Sequence, residues 1–365
     1  MTAGVADVPG AVVDDGVLQH TGQPIIEQRR LIDGTAVAPL SGRRVLAVSG
    51  EDRLSWLDSV SSQALTALEP GRATELLILD PQGRVEHAAA VLDDGATTWL
   101  IVDRGDADAL LAWLLRMRFR LRVAPRDAQE EVAVFGVTDA GLPLVTPAAP
   151  NGVPLVWRDP WPAIAPGGVG YAPVDGHPGA DRAWNEVLVA PEEAERLTDA
   201  AVSGAVGFAG SLAVEALRVA AWRPAWQNEV DERTIPHELD WMRTAVHMNK
   251  GCYRGQETVA KVHNLGHPPR RIVALDLDGS DDLLPHPGDV VRIGETEIGR
   301  ITSVARHHED GPIALAVVKR SAAVDATLVV ATEGGDVTAS ATPIVPADAG
   351  ATADIPRIPR LSRRV

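Results

Sequence analysis

The chain has 365 residues, a formal net charge of −16 and 45% hydrophobic residues. That length predicts two or three structural units around a sizeable core, and the acidic balance excludes an extensive nucleic-acid-binding surface as the main role. The single cysteine, Cys252, excludes an internal disulfide and a self-contained cluster site with four cysteine ligands.

Residues 1–24 are polar and glycine-rich, with no basic region ahead of an apolar run, and read as a flexible N-terminus. No apolar stretch reaches the roughly 18 residues of a membrane span, so the expectation is a cytoplasmic protein without a membrane partner. IIEQRRLID (25–33) predicts a short helix, and RRVLAVSG (43–50) a strand that turns at Gly50. EDRLSWLDSV carries Leu54, Leu57 and Val60 at helical spacing. ATELLILD (73–80), RVEHAAAVLD (84–93) and TTWLIVD (97–103) predict strands, joined by turns at DPQG and Asp93-Asp94-Gly95. A helix is expected over 106–119 and a strand over 131–137. This alternation suggests an α+β sheet with helices on one face.

Residues 138–180 are rich in proline and glycine and read as irregular. A strand (181–190) and a helix (191–202) follow, then a helix within 204–222 in which Leu212, Glu215, Ala216 and Val219 mark successive turns. Gly204, Gly207 and Gly210 before it match no phosphate-binding loop pattern. Trp222, Trp226 and Trp241 are candidates to stack on a flat heterocycle, or to cover a core. Six short β-like runs between 271 and 344, separated by Gly, Pro and Asp turns, predict a small antiparallel barrel or sandwich. Residues 345–365, with Arg357, Arg360, Arg363 and Arg364, read as a flexible tail. His307 and His308 are adjacent on a predicted strand and point to opposite faces, so no metal ligand is assigned.

The chemistry concentrates at 247–264. Lys250 and Arg254 flank Cys252 at two residues on either side, and Gly251 and Gly255 bracket the group. Nearby cations lower a thiol pKa from about 8.5 and so favour the reactive thiolate. A helix opening at Gly255 would add positive potential from its free N–H groups. Around it, residues 241–271 hold six Lys/Arg against one acid, Glu257, a local reversal of sign that suits an anion.

KGCYRGQE (250–257) resembles the K-G-C-Y-x-G-Q-E signature of the YgfZ-type folate-binding proteins, relatives of the glycine-cleavage aminomethyltransferase that act in iron–sulfur cluster assembly or repair. EQRRL, RVLAVSGEDRLSWLDSV, DPQGRV and GSLAVEALR follow the family in order, and TIPHELDW with PPRR resembles its actinobacterial branch. The resemblance implies a discontinuous aminomethyltransferase-like folate-binding core over 25–270 and a C-terminal β-barrel over 271–344. It implies tetrahydrofolate, or a one-carbon or polyglutamate derivative, as cofactor. Iron–sulfur client proteins or assembly machinery are the implied partners. Cys252 is then the essential thiol, and Lys250, Tyr253, Arg254, Gln256, Glu257 and Arg218 are the cofactor-binding candidates, with Gln256 and Glu257 orienting the loop.

Two departures bear on activity. Ala220 stands where the family's pterin-binding glutamate is expected, leaving Glu215, Glu229 and Glu238 as substitutes. Glu86 and His87 replace the Asp pair of the aminomethyltransferases, which argues against ordinary aminomethyl transfer. The leading expectation is a folate-binding accessory protein for iron–sulfur enzymes. The alternative is a tetrahydrofolate-dependent one-carbon transferase or demethylase.

Overall fold

A computed structural model describes residues 4–280 and 282–353. In chain order the strands and helices are β1 (Val12–Asp14), β2 (Val17–His20), α1 (Pro24–Ile32), β3 (Ala36–Pro39), β4 (Arg43–Ser49), α2 (Arg53–Val60), β5 (Ala73–Leu79), β6 (Val85–Asp93), β7 (Thr97–Asp103), α3 (Ala107–Met117), β8 (Ala124–Asp127) and β9 (Ala133–Thr138). They continue with β10 (Val156–Arg158), β11 (Trp184–Val189), α4 (Pro191–Val202), β12 (Gly207–Phe208), α5 (Ser211–Ala220), α6 (Trp226–Glu229), α7 (Gln256–Leu265) and the barrel strands β13 (Arg270–Leu277), β14 (Val290–Ile293), β15 (Thr296–His307), β16 (Gly311–Lys319), β17 (Leu328–Thr332) and β18 (Gly335–Pro343).

Two five-stranded sheets pack face to face. One has the order β5-β6-β7-β4-β8 and the other β10-β11-β9-β3-β12. Alternation along β4 shows why both faces are covered. Leu46 and Val48 pack with Trp56 of α2 and Leu110 and Leu114 of α3. Val45 and Ala47 face the opposite way, into a core shared with Trp157, Trp184 and Leu188 of the second sheet. That sheet buries its outer face under Leu197 and Ala201 of α4. The single sheet covered on one face is thus corrected to two sheets, each with its own helices outside.

The six C-terminal strands close into a barrel in the order β13-β16-β15-β14-β17-β18. Its outer side chains Ile272, Ala305, Ile313 and Leu315 pack on Ala216 and Val219 of α5 and on Tyr253 and Val259. The barrel is therefore docked on the core by the segment that carries the signature.

The N-terminal expectation also changes. β1 and β2 pair as a hairpin, and Leu18 is fully buried. Glu27 clamps the hairpin's exit by accepting from Thr21 N at 2.8 Å and Gly210 N at 2.9 Å. Gly210 is needed because a Cβ there would lie 2.1 Å from Gln19 O. Gly207 and Gly210 thus serve close backbone packing, while Gly204 takes up a left-handed turn at φ +77°. The start of the predicted tail is also built in, since Ile344 and Val345 are fully buried and Thr352 N donates to His263 O at 3.1 Å. Arg357, Arg360, Arg363 and Arg364 lie outside the described residues.

Candidate functional site

The signature forms a tight loop that runs into α7. Gly255 caps the helix with φ +84°. A Cβ there would sit 2.6 Å from Asp80 O, so the loop can approach the Asp80–Gly83 turn this closely only with glycine. Tyr253 is buried in the core beneath the barrel, and burial pushes its hydroxyl pKa up. Gln256 Nε2 donates to Lys250 O at 3.3 Å, which ties the loop across its base. Cys252 is exposed. Glu257 is exposed and makes no hydrogen bond or ion pair among the described residues.

The two flanking cations do not behave as their spacing suggests. Lys250 Nζ turns away into the protein. It donates to Ser61 O at 2.9 Å, Gln63 O at 2.7 Å and Asp58 O, and lies 3.4 Å from Asp58 Oδ2. Burial lowers its pKa, with Asp58 pulling the other way. Its three donors are spent on carbonyls that would otherwise be unpaired. Arg254 is bound to Glu86 at 2.6 Å. Lys250 is thus committed to the protein interior and Arg254 to an ion pair with Glu86.

The wider basic stretch is neutralised in the same way. Arg243 lies 3.2 Å from Asp240, and Arg270 bridges Asp231 and Glu238. Arg271 donates to Val345 O and Ala322 O. The local excess of positive charge in the sequence is largely spent on pairing in the fold.

A concave site lies between the two sheets and α5. A cavity of about 440 Å³ continues into a narrow pocket of about 70 Å³. Arg43, Asp103, Arg182, Trp184, Glu186 and Arg218 line both parts. Of the seven site residues expected from the sequence, Arg218 alone lines this space.

Arg218 is a structural hub. It donates to Glu215 at 2.7 Å, Glu229 at 3.1 Å, Arg223 O at 2.6 Å and Ser303 Oγ of β15 at 2.6 Å. Burial works against its charge, but Glu215 and Glu229 more than offset this and hold its pKa above the ordinary value.

Most acids in the cavity wall are likewise engaged. Asp159 takes Arg182 at 2.8 Å, and Glu75 takes Arg223 at 2.6 Å. Glu186 differs. Its Oε1 accepts from Arg43 at 2.8 Å, while its Oε2 is buried with no hydrogen-bond partner. A buried carboxylate oxygen without a donor is costly unless something supplies one. Nearby, burial raises the pKa of Asp103.

Sequence reading missed Glu186 and Trp184. The available signal was the strand WNEVLV, whose alternation puts Trp184, Glu186 and Leu188 on one face. A charged residue between two core residues marks an inward-facing polar position.

The two departures resolve in the fold. Ala220 packs against the core beneath the barrel and does not line the cavity. Of its suggested substitutes, Glu229 is buried against Arg218, Ser303 and Ala225 N, and Glu238 is held by Arg270. Glu215 lines the cavity but is bound to Arg218. Glu86 and His87 point to opposite sides of β6. Glu86 reaches Arg254, and His87 Nδ1 meets Asp106 at 2.7 Å beneath α3. They cannot act as a carboxylate pair, and Ala88 and Ala90 line the deep pocket from the same strand.

Trp226 and Trp241 also line the deep pocket, with their indole N–H groups committed to Glu86 O at 3.1 Å and Glu75 at 3.2 Å. Trp222 lies away from it, edge-on to His177. No group of three or more His, Cys, Asp or Glu with metal-binding geometry occurs among the described residues. No described helix is long and apolar enough to cross a membrane.

Comparison with known proteins agrees with this architecture. Residues 270–348 match the glycine cleavage T-protein C-terminal barrel domain. A chloroplast protein of Arabidopsis thaliana described as a transferase is 22% identical over 86% of this chain and 72% of its own length. A mitochondrial iron–sulfur cluster assembly factor homolog of Mycosarcoma maydis is 27% identical over 66% of this chain, which spans 56% of that relative. The glycine cleavage aminomethyltransferase T of Bartonella henselae superposes with a TM-score of 0.69, at 17% identity, over 91% of this chain and 92% of its own. The chain thus has the aminomethyltransferase fold along its length, and its C-terminal end matches the T-protein barrel domain.

Proposed function

We propose that this protein is a folate-binding accessory factor that supports assembly or repair of iron–sulfur enzymes, with tetrahydrofolate or a one-carbon derivative held in the central cavity. The observation that carries this reading is the buried, unpartnered Oε2 of Glu186. The amino-pyrimidine edge of a pterin offers adjacent N–H donors, which a carboxylate is built to accept. Arg43 holds Glu186 in place through its Oε1, and Trp184 supplies a flat apolar wall beside it. The cavity's volume falls in the range of about 300–1,000 Å³ usual for small-molecule sites. Tetrahydrofolate, when bound, carries the one-carbon unit; the chain contributes binding, orientation and exclusion of water.

Cys252 belongs to a second locus on the surface, where its exposed thiol is accessible to a client protein. The iron–sulfur role also draws on the assembly factor homolog among the relatives. The transferase alternative is supported by the fold and weakened by Ala88 and Ala90, which present methyl groups to the pocket from the strand expected to carry the acid pair.

Calorimetric titration with tetrahydrofolate and its polyglutamate form, without oxygen, tests the cavity. Micromolar binding is expected, and Glu186→Ala should weaken it by about ten- to a hundred-fold, as fits loss of a hydrogen bond to a charged group. Equal binding by Glu186→Ala and the wild type would remove the pterin role of Glu186. Cys252→Ala should bind folate normally and fail to restore iron–sulfur enzyme activity in cells lacking the protein. Restoration by that variant would remove the thiol role. Turnover of a methylamine donor with tetrahydrofolate would favour the transferase alternative.

A further inference from the structure

The end of α3 carries a surface that neither the cavity nor the signature loop uses. The segment from Leu115 to Arg122 alternates apolar and basic residues. Phe119 is 77% exposed, and Leu115 and Leu121 are 40% and 44% exposed. Phe119 also has φ +43°, a left-handed conformation unfavourable for a bulky side chain. Among the described residues, Arg116, Arg118 and Arg120 make no side-chain hydrogen bond or ion pair, whereas Arg122 is held by Asp52 and Glu51. Arginines at a helix C-terminus offset its dipole, which accounts for some of this charge. It does not account for an aromatic ring held out in solvent among them.

The surface continues into a groove beside α3. Arg84, Glu86, His87, Trp113, Arg116 and Trp226 line it. Glu86 is bound to Arg254, which ties the wall of this groove to the signature loop. The loop also packs on the Asp80–Gly83 turn, where a Cβ at Gly83 would lie 3.4 Å from Gly255 O. Arg84, like Arg116, has no side-chain partner among the described residues. The groove also carries four acids. Glu86 and Asp231 are engaged by Arg254 and Arg270, Asp80 accepts from the backbone N–H groups of Gln82 and Arg84, and Glu232 is exposed. The unbalanced positive charge therefore lies at the tip of α3 and not in the groove.

We propose that the tip of α3, with Arg84 and Arg116 at the mouth of the adjoining groove, forms a docking surface for an acidic segment of a partner protein that carries an apolar or aromatic anchor. The docked segment would lead the partner toward the Cys252 loop. The inference rests on the accessory-factor reading and names the kind of partner that reading requires. Complementary charge selects the partner: unpaired arginines ring an exposed apolar centre, the arrangement found where a few anchors dominate binding. Three exposed apolar side chains interleaved with three unpaired arginines suit a short protein segment over RNA or a membrane. Screening confines attraction to about 8 Å at physiological salt, and beyond the patch a molecule of charge −16 repels an extended polyanion.

The test uses the full chain and a fluorescent synthetic peptide in which Glu and Asp alternate with Leu and Phe. A matched peptide with Lys in place of the acids, a short single-stranded RNA and phosphatidylserine vesicles are the comparisons. The acidic peptide is expected to bind at least about ten-fold more tightly than the basic one, and to lose that margin at about 0.5 M salt. The triple variant R116E/R118E/R120E should lose at least about ten-fold, and Phe119→Ser alone several-fold. All these positions are exposed, and the salt response of the wild type needs no variant. Equal binding of both peptides, or binding unaffected by the variants, would overturn the proposal. So would tighter, variant-sensitive binding of RNA or vesicles. Folate titration of the same variants separates the two readings: folate binding without peptide binding overturns the docking surface alone, and peptide binding without folate binding removes the folate pocket alone.

Discussion

The signature loop and the central cavity use charge in opposite ways. In the loop, conspicuous cations cluster within a few residues, and the fold spends them. Lys250 goes to three carbonyls and Arg254 to Glu86. In the cavity, charges come from β4, β7, β11 and α5, far apart in sequence, and one acceptor, Glu186 Oε2, is left over. A motif therefore marks where the chain needs particular residues, without saying whether it needs them for architecture or for a ligand. A leftover polar atom in a cavity is the better guide to a ligand, because burying it unpaired carries an energetic penalty.

This contrast can be broken in several ways, beginning with the largest effect. Arg218→Met removes the hub that joins α5, α6 and the barrel. It leaves Glu229 buried without its cation, and should cost about 3–5 kcal/mol in urea denaturation. A loss under 1 kcal/mol would mean that Arg218 serves the ligand and not the fold.

Acid should come next. His177 and His237 are buried, and burial pushes the pKa of each down to about 4. In the unfolded chain each titrates near 6.5, so between pH 6.5 and 4 the unfolded state binds more protons and stability falls as pH falls. Each histidine contributes up to about 3 kcal/mol to that loss. Asp240 acts in the opposite sense, since burial raises its pKa to about 6 and the folded state takes up its proton first. The net loss should be about 3 kcal/mol. Urea midpoints measured across this range should slope downward toward acid, and His237→Gln should flatten the slope; a flat wild-type profile would contradict the neutral, buried histidines.

Lys250→Met should lower stability by about 1–3 kcal/mol, by leaving the carbonyls around Asp58–Gln63 without donors. It should leave the pH dependence of Cys252 alkylation unchanged. A shift in that profile would return Lys250 to the thiol. The smallest effect should come from Arg254→Ala, whose pair with Glu86 is partly exposed and worth at most about 1 kcal/mol.

Much of the fold was legible in the chain. Strand and helix periodicities in 43–117, and the six short runs after residue 270, correspond to the observed elements because each reflects a local pattern of burial. The hairpin at 12–20 was not legible. Its three-residue strand β1 is wholly exposed, and the segment is held by Leu18 and by Glu27, contacts made with distant parts of the chain. The candidate site divides in the same way. Cys252 and the turn at Gly255 stand out by residue type and spacing, and the fold gives the turn its reason in the close approach to Asp80. Glu186 and Arg43 do not stand out, because they are 143 residues apart and meet only across the packed sheets.

The sequence by itself determined the kinds of element, the run of short C-terminal strands, the tight glycine turn and the position of the one thiol, all of which depend on residue type and on neighbours within a few positions. Tertiary structure alone decided which charges are paired, which face of β6 meets the cavity and which carboxylate oxygen lacks a donor. Those outcomes depend on how strands distant in the chain align and on which polar groups burial leaves unmatched.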